Sequence, residues 1–236
     1  GYIGDIRLDE KSVRRNWRTA FPTRPGDILN LRRLEQGLEQ MKRVPSQDVD
    51  FQLVPGKKVG ASDIVITIKE NKRYKIIFSV DDSGTKPTGK IQTTESFSLD
   101  NPLGLNDLFN VSLNGDGDRK GNVKGTRGNS FYYSIPYGDT TFSFSVGSYE
   151  YHQQINTVAQ PFTYSGKSDS MELHISHLFH RDQVSKTNLE YSIIRKHTKS
   201  YIEDVELEVQ RRNTTAVKTG VSHRRYFGQT VLNVEV

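Results

Sequence analysis

Leu99-Asp100-Asn101-Pro102-Leu103-Gly104-Leu105-Asn106-Asp107 is the stretch that decides how this chain folds. It lies between two segments whose side chains alternate apolar and polar. Pro102 has no N–H to give to a strand ladder, Gly104 is free to take φ > 0, and the Asn and Asp side chains bond their own backbone. The stretch is therefore a structured turn between strands. A bare hairpin turn needs about two such residues, and this one uses nine.

The same period of two runs on both sides of this turn. Upstream, Tyr74, Ile76, Phe78 and Val80 alternate with Lys75, Ser79 and Asp81, and Ile91, Thr93, Phe97 and Leu99 follow. Downstream come Phe109–Leu113, Phe131–Ile135, Phe142–Val146, Met171–Ile175, Leu189–Ile193, Val205–Val209, Val217–Val221 and Leu232–Val236, opposed mostly by Ser, Asn, Thr, Lys, Glu and Gly. This pattern predicts nine or ten antiparallel strands of about 8–12 residues over 73–236, with Tyr137, Tyr149, Tyr151, Phe179 and Phe227 near strand ends. That is the pattern of a transmembrane barrel. Short turns are expected at Leu99–Asn106, Pro136–Asp139 and His180–Ser185, and longer connections at Gly115–Gly128 and His152–Gly166. Ser83–Thr88 and His197–Ser200 are expected as shorter connections on that same side.

Composition agrees. Only 33% of the 236 residues are hydrophobic, and the mean hydropathy is −0.66. No apolar run approaches the ~18 residues of a membrane helix. There is no cysteine, which excludes disulfides and CxxC metal sites. The net charge is +5, and the basic excess lies in residues 1–72. The basic residues are dispersed and no groove-reading or stacking motif appears, so nucleic acid is not an expected partner. The chain opens Gly-Tyr-Ile with no signal peptide and ends Val-Glu-Val in mid-alternation, which reads as an internal piece of a longer precursor.

Residues 1–72 read differently. Tyr2–Leu8 is a strand candidate. Val13, Trp17 and Phe21 recur at four-residue steps and predict a helix over Glu10–Phe21, stopped by Pro22. Asn30 caps a second helix striped by Leu31, Leu34, Leu38 and Met41. Asp48–Val54 and Asp63–Lys69 alternate as strands. The order strand, helix, helix, strand, strand predicts a small α+β domain with two helices on one sheet face.

The matching runs Ala20-Phe21-Pro22, Leu29-Asn30-Leu31-Arg32, Leu34-Glu35-Gln36-Gly37-Leu38, Gln52-Leu53-Val54-Pro55-Gly56 and Ser62-Asp63-Ile64-Val65 make this part resemble a POTRA domain, the polypeptide-transport-associated module. Its register resembles the barrel-proximal copy. The nine-residue turn, Asp82-Ser83-Gly84 with Thr88-Gly89, Ser134-Ile135-Pro136-Tyr137-Gly138 and Val209-Gln210-Arg211-Arg212 resemble the barrel of two-partner secretion transporters. The resemblance implies a POTRA domain over 1–72 and about half of a sixteen-stranded barrel over 73–236. It further implies a bacterial outer-membrane pore, its POTRA domain in the periplasm, that exports a hemolysin, adhesin or contact-dependent toxin. The implied partners are the secreted polypeptide and outer-membrane lipid. A barrel-assembly factor and a soluble all-β binding module are the competing readings.

On the alternating strand Met171–Phe179, His177 points opposite to His174 and His180, so the three do not make one metal site. Asp116-Gly117-Asp118 with Gly121 would put Lys120 and Arg127 where a calcium loop needs acids. Asp81-Asp82 and Glu203-Asp204 face opposite sides of their strands. No nucleophile elbow, zinc helix or phosphate loop occurs, so neither an enzyme, a cofactor nor a metal is expected. The candidate client-binding residues are Asp48, Val49, Asp50, Phe51, Gln52 and Leu53. In a POTRA fold they form an edge strand whose free N–H and C=O groups suit an extended polypeptide. Gln52, which alternates away from the apolar face, is the expected position for a proline that would block such pairing.

Overall fold

The computed structural model describes residues 1–12, 15–117, 124–158 and 160–236, and the chain forms two sheets. The first contains β1 (Tyr2–Leu8), the helix α1 (Leu31–Lys42), β2 (Gln47–Pro55) and β3 (Ala61–Glu70). Its order is β1-β3-β2, with β1 parallel and β2 antiparallel to the central β3. Alternation builds the core. Ile64, Ile66 and Ile68 of β3 and Val49 of β2 share one face, and Ile3 and Ile6 join it across a register shift in β1. Leu34 and Met41 of α1 close over them. The Asn30 side chain caps the helix, accepting the Arg32 N–H at 2.9 Å. Of the leucine stripe only Leu31 stands exposed.

Among the described residues α1 is the only α-helix, so the helix expected over Glu10–Phe21 does not form; Val13 and Arg14 lie outside the described residues. What remains is one turn, in which the Ala20 and Phe21 N–H groups both donate to Trp17 O. The four-residue period does report the buried face, since Trp17 packs edge-to-face on the core residue Phe21 at 6.2 Å. The backbone is committed elsewhere. Asn16 O accepts from Asn106 Nδ2 at 2.7 Å, and Thr19 O accepts the Gly138 N–H at 2.8 Å. These long-range bonds take the carbonyls that a helix would use.

The second sheet contains β4 (Tyr74–Asp81), β5 (Gln92–Asp100), β6 (Leu108–Asp116), β7 (Gly125–Tyr137), β8 (Thr140–Ile155), β9 (Phe162–Arg181), β10 (Ser185–Ile202), β11 (Val205–Glu206), β12 (Arg212–Phe227) and β13 (Thr230–Glu235). It is an antiparallel meander from β4 to β13, with β11 paired only to β10. Val205–Val209 is not the spanning strand its alternation predicts. Glu203 and Asp204 take φ of 46° and 64°, and Glu206 is held by Lys199 and Arg211 at 3.2 and 2.6 Å. The segment folds back onto β10 and ends in a 3-10 turn at Glu208–Gln210. Several strands outrun expectation. β9 has 20 residues, where about 9–11 tilted residues cross a bilayer. The His152–Gly166 connection therefore shrinks to 156–161, and His197–Ser200 lies inside β10.

Register sorts the side chains into rows. One row runs Tyr74, Leu99, Phe109, Tyr133, Phe144, Leu173, Ile193 and Val217 across β4–β10 and β12. On the opposite face a row runs Ser96, Ser112, Ser130, Gly147, Ser170, Lys196 and Thr214. The apolar face carries edge-to-face contacts from Phe97 through Phe109 and Phe131 to Phe144, at 5.5–6.3 Å.

Candidate functional site

Every short turn in the first three hairpins at one end of the large sheet meets the small domain. The turn 101–107 does so most fully. Its interior is polar: Asn101, Asn106 and Asp107 are all completely buried. The Asp107 carboxylate accepts the Leu103 and Leu105 N–H groups at 3.2 and 3.1 Å and the Tyr133 hydroxyl at 2.9 Å. Asn101 and Asn106 sit at φ of 52° and 60°, and the Asn106 N–H donates to Asn101 Oδ1 at 2.9 Å. Left-handed Asn is tolerated because its short amide bonds locally. Thr19 Oγ1 donates to Leu105 O at 3.0 Å, and the Ser46 N–H to Asp100 Oδ2 at 2.8 Å. Arg73 Nε donates to Asp100 O at 3.0 Å and its guanidinium also reaches Asn101 O. Nine residues are needed because the turn serves as a socket for residues 16–19 and 46 as well as a link between β5 and β6.

The outward side of α1 meets the other two turns. Gln36 and Gln40 are as buried as the leucines beneath them. Gln40 Nε2 donates to Gly138 O and Thr141 Oγ1, both at 3.2 Å, and Arg43 donates to Ser134 Oγ. Burial pushes the Arg43 guanidinium below its ordinary value and the Asp139 carboxyl above its own, the latter against the pull of Arg33 and His177. At the third turn Glu39 accepts from Lys186 at 2.6 Å and from Arg181, and Arg181 also donates to Gln36 Oε1 at 2.9 Å. Burial alone would raise the Glu39 carboxyl; the Lys186 and Arg181 hydrogen bonds outweigh it and hold the group below its ordinary value. Sequence reading missed Gln36, Glu39, Gln40 and Arg43, because polar residues on a helix flank read as solvated surface. A signal existed in the complementary charges of Glu35 and Glu39 and of Arg181 and Lys186, without any period to pair them.

The candidate edge residues fall where the POTRA resemblance puts them, on β2 at the rim of the sheet. Asn71 N–H donates to Ser46 O at 2.7 Å, and Gly56 N–H to Ala61 O at 3.0 Å. In this antiparallel register those bonds assign Asp48, Asp50, Gln52 and Val54 to the pairs that exchange hydrogen bonds with β3. The N–H groups of Val49, Phe51 and Leu53 therefore face away from the sheet. Proline at Gln52 would break the domain's own ladder, and Leu53 is the position that tests the free edge. Val49 and Phe51 turn their side chains to the core, Leu53 is exposed beside them, and Asp48, Asp50 and Gln52 line the opposite face.

His174 and His177 separate as alternation requires, but a register shift before His180 breaks the alternation expected there, and His180 lies 3.6 Å from Asp182. His174 bonds Ser192 Oγ at 2.8 Å on the polar face, and His177 bonds Thr140 Oγ1 at 2.9 Å on the other. Among the described residues no cluster of three or more His, Asp or Glu side chains is arranged to hold a metal. Asp118 and Gly121 of the would-be calcium loop lie outside the described residues.

Residues 60–236 match the family of haemolysin secretion/activation proteins of the ShlB/FhaC/HecB type, and residues 2–55 match a POTRA domain. The outer membrane transporter CdiB-2 of Burkholderia pseudomallei is 40% identical over 233 residues, covering 98% of this chain and 39% of that protein. The hemolysin transporter protein ShlB of Serratia marcescens is 32% identical over 240 residues, covering 100% and 42%. The solved structure of CdiB from Escherichia coli superposes with a TM-score of 0.91 at 28% identity, over 100% of this chain and 44% of that one. BamA from Haemophilus ducreyi gives a TM-score of 0.52 at 14% identity, covering 99% and 47%, a likeness of fold alone. The chain spans about two fifths of the length of the curated relatives it matches.

Proposed function

This chain belongs to the haemolysin secretion/activation family, outer-membrane proteins whose POTRA domain lies in the periplasm, and from that premise we propose that it captures a secreted polypeptide and passes it outward through a barrel. In this reading residues 1–72 are the capture domain and 73–236 the first part of the conduit. The observation that carries it is the division of the large sheet into an apolar face and a hydroxyl-lined one. In that row Ser96, Ser112, Ser130 and Ser170 offer short neutral groups that exchange hydrogen bonds easily, with the one charged member, Lys196, beyond Ser170. A sliding extended chain is solvated there without being held. The apolar row opposite suits lipid. No cofactor enters the scheme, and catalysis forms no part of it.

Topology supports the direction. The turns at 101–107, 138–139 and 182–184 lie at the small domain's end of the sheet, so the end of β6 at Asp116, the start of β7 at Gly125, the end of β8 at Ile155, the start of β9 at Phe162 and the segment 203–211 lie at the other. An epitope inserted beside Gln160 in the complete transporter is expected to be labelled on intact cells. Labelling only after the outer membrane is breached would reverse the direction of transport. Export of the partner from cells carrying the complete transporter, and its retention in the periplasm without it, is the direct test.

The edge residues Asp48–Leu53 are the capture site in this reading. Main-chain groups supply affinity without demanding a sequence, which suits a client recognised while unfolded. A barrel-assembly role shares the fold but is supported here by structural likeness alone.

A further inference from the structure

The outer edge of β2 is not simply open. Its central donor, the Phe51 N–H, is occupied by Asp50 Oδ1 at 2.8 Å. Asp50 is itself exposed, so its carboxylate bends around the rim to cover a group that an incoming strand needs. By the same register the N–H groups of Val49 and Leu53 on either side of Phe51 face the same way, outward from β3. Beyond Leu53 the edge stops, because Pro55 has no N–H. The usable edge is thus three donors long with its middle one masked.

The side chains beside it are sharply divided. Towards α1 the edge presents Phe51 and the exposed Leu53. On the other face it presents Asp48, Asp50 and Gln52, with Lys69 cross-strand from Asp48 and Thr67 from Asp50. Among the described residues neither Asp48 nor Asp50 has an ion pair within 4.0 Å. These two acids stand on a domain in which basic residues outnumber acidic ones.

We propose that Asp50 is a gate on this edge, and that the segment it admits is an extended strand alternating apolar side chains with Lys or Arg. The inference rests on the capture reading above. A cation on the incoming strand, placed on the Asp48–Asp50 face, draws the Asp50 carboxylate off the Phe51 N–H. The strand's carbonyl takes that N–H, and its apolar side chains lie beside Phe51 and Leu53. A neutral or acidic strand lacks the means to lift the carboxylate. The same gate keeps the edge from pairing with stray strands, a known hazard of open edges.

The test uses the complete transporter in detergent and three labelled peptides of equal length: alternating Val-Lys, alternating Val-Thr and alternating Val-Glu. Binding is followed by fluorescence anisotropy. Wild type is expected to bind Val-Lys at least ten-fold more tightly than Val-Thr, and Val-Glu not measurably. Asp50→Ala should improve Val-Thr binding and shrink the preference to a few-fold. Asp50→Asn keeps an acceptor for the Phe51 N–H and loses the charge, so it should weaken Val-Lys without opening the edge to Val-Thr. Leu53→Pro should abolish all binding; Leu53→Lys, which keeps the fold but repels the cationic strand, serves if the proline variant loses its heat-modifiable band. Equal binding of the three peptides by wild type, or an unchanged preference in Asp50→Ala, overturns the gate while leaving edge capture standing. Unchanged Val-Lys binding in folded Leu53→Pro and in Leu53→Lys overturns both.

Discussion

In the small domain the buried core is apolar, built on Phe21, Ile3, Leu34, Met41 and Ile66, with buried polar groups such as Gln36, Gln40 and Ser46 at its junction with the large sheet, whereas the buried side chains of the large sheet and its first turn are polar: Asn101, Asn106, Asp107, Ser134 and Ser192. Ile76, Phe78 and Val217, which a water-soluble sheet would hide, stand exposed at 71%, 64% and 72%. Among the described residues no aliphatic or aromatic side chain after Ile68 other than Pro136 is buried. One chain is thus written for two solvents. Water drives the first sheet to cover its apolar face with α1. In the proposed reading lipid covers the second sheet's apolar face, asks nothing of it, and requires instead that backbone and polar groups be satisfied internally. The two regimes meet at the 101–107 turn, where a polar interior does the holding that an apolar core does elsewhere.

Deleting an aromatic from each regime should have the largest and most unequal effects. Phe21→Ala removes the largest buried side chain of the small domain and is expected to cost about 3–5 kcal/mol, read from denaturant-dependent proteolysis of residues 1–72 in the complete transporter. Phe131→Ala removes an aromatic of the apolar face and should leave that proteolysis unchanged. If Phe131→Ala destabilises the small domain as much as Phe21→Ala does, the two regimes are one core.

The second test uses neighbours on one strand. Phe144 and Ser145 are adjacent in β8 and face opposite sides. Phe144→Arg places a charge in hydrocarbon and should cost about 2–4 kcal/mol near the midplane, seen as a lower urea midpoint for the complete barrel in liposomes. Ser145→Arg places it on the hydroxyl-lined side and should shift that midpoint far less. Equal costs would mean that the hydroxyl face is not water-filled.

What the sequence revealed follows the same division. Strands betray themselves by a period of two, and the sheet's order is read correctly from Tyr74 to Val236 except at Val205–Val209. There Lys199, Glu206 and Arg211 form a local ion cluster, and charges carry no period. The strand β2 and its place on the rim were legible, but which of its N–H groups face outward was not. That depends on the Ser46–Asn71 and Gly56–Ala61 bonds, which set the parity. The Glu10–Phe21 helix failed for a related reason: Asn16 and Thr19 are claimed by Asn106 and Gly138, some 90 and 119 residues away. Contacts between the domains are the part that no local pattern encodes.

The polar junction predicts smaller but graded effects. Asp107→Ala orphans the Leu103 and Leu105 N–H groups and the Tyr133 hydroxyl. A buried donor left unpaired costs about 1–3 kcal/mol, so the variant should lower the temperature at which the complete barrel loses its heat-modifiable band. Asp107→Asn keeps one acceptor oxygen and should fall between. A wild-type melting temperature for Asp107→Ala would mean that the turn's polar interior holds nothing.

The smallest effect is expected at Glu39, where the two regimes touch through the ion pairs with Arg181 and Lys186. Its side chain is 41% exposed, so solvent screening discounts the pair heavily, and its contribution to docking is expected to stay below about 1 kcal/mol. Glu39→Gln should therefore loosen α1 from the Arg181–Lys186 turn without releasing the domain, which the 101–107 turn still holds. The measurement is the spread of distances between spin labels at the exposed positions Lys42 and Gln183 in the complete transporter. The pH dependence has a definite sign. The folded-state carboxyl sits below its ordinary 4.5, so its contribution is fully present above that value and fades only as pH falls through the lowered one. Narrow distances should persist from neutral pH to about 5 and broaden in stronger acid, while Glu39→Gln should be broad throughout that range. Added salt should broaden the wild type in the same direction. If the distances stay narrow in Glu39→Gln at every pH, the Glu39 ion pairs are bystanders, and the 101–107 and 138–139 turns carry the junction without them.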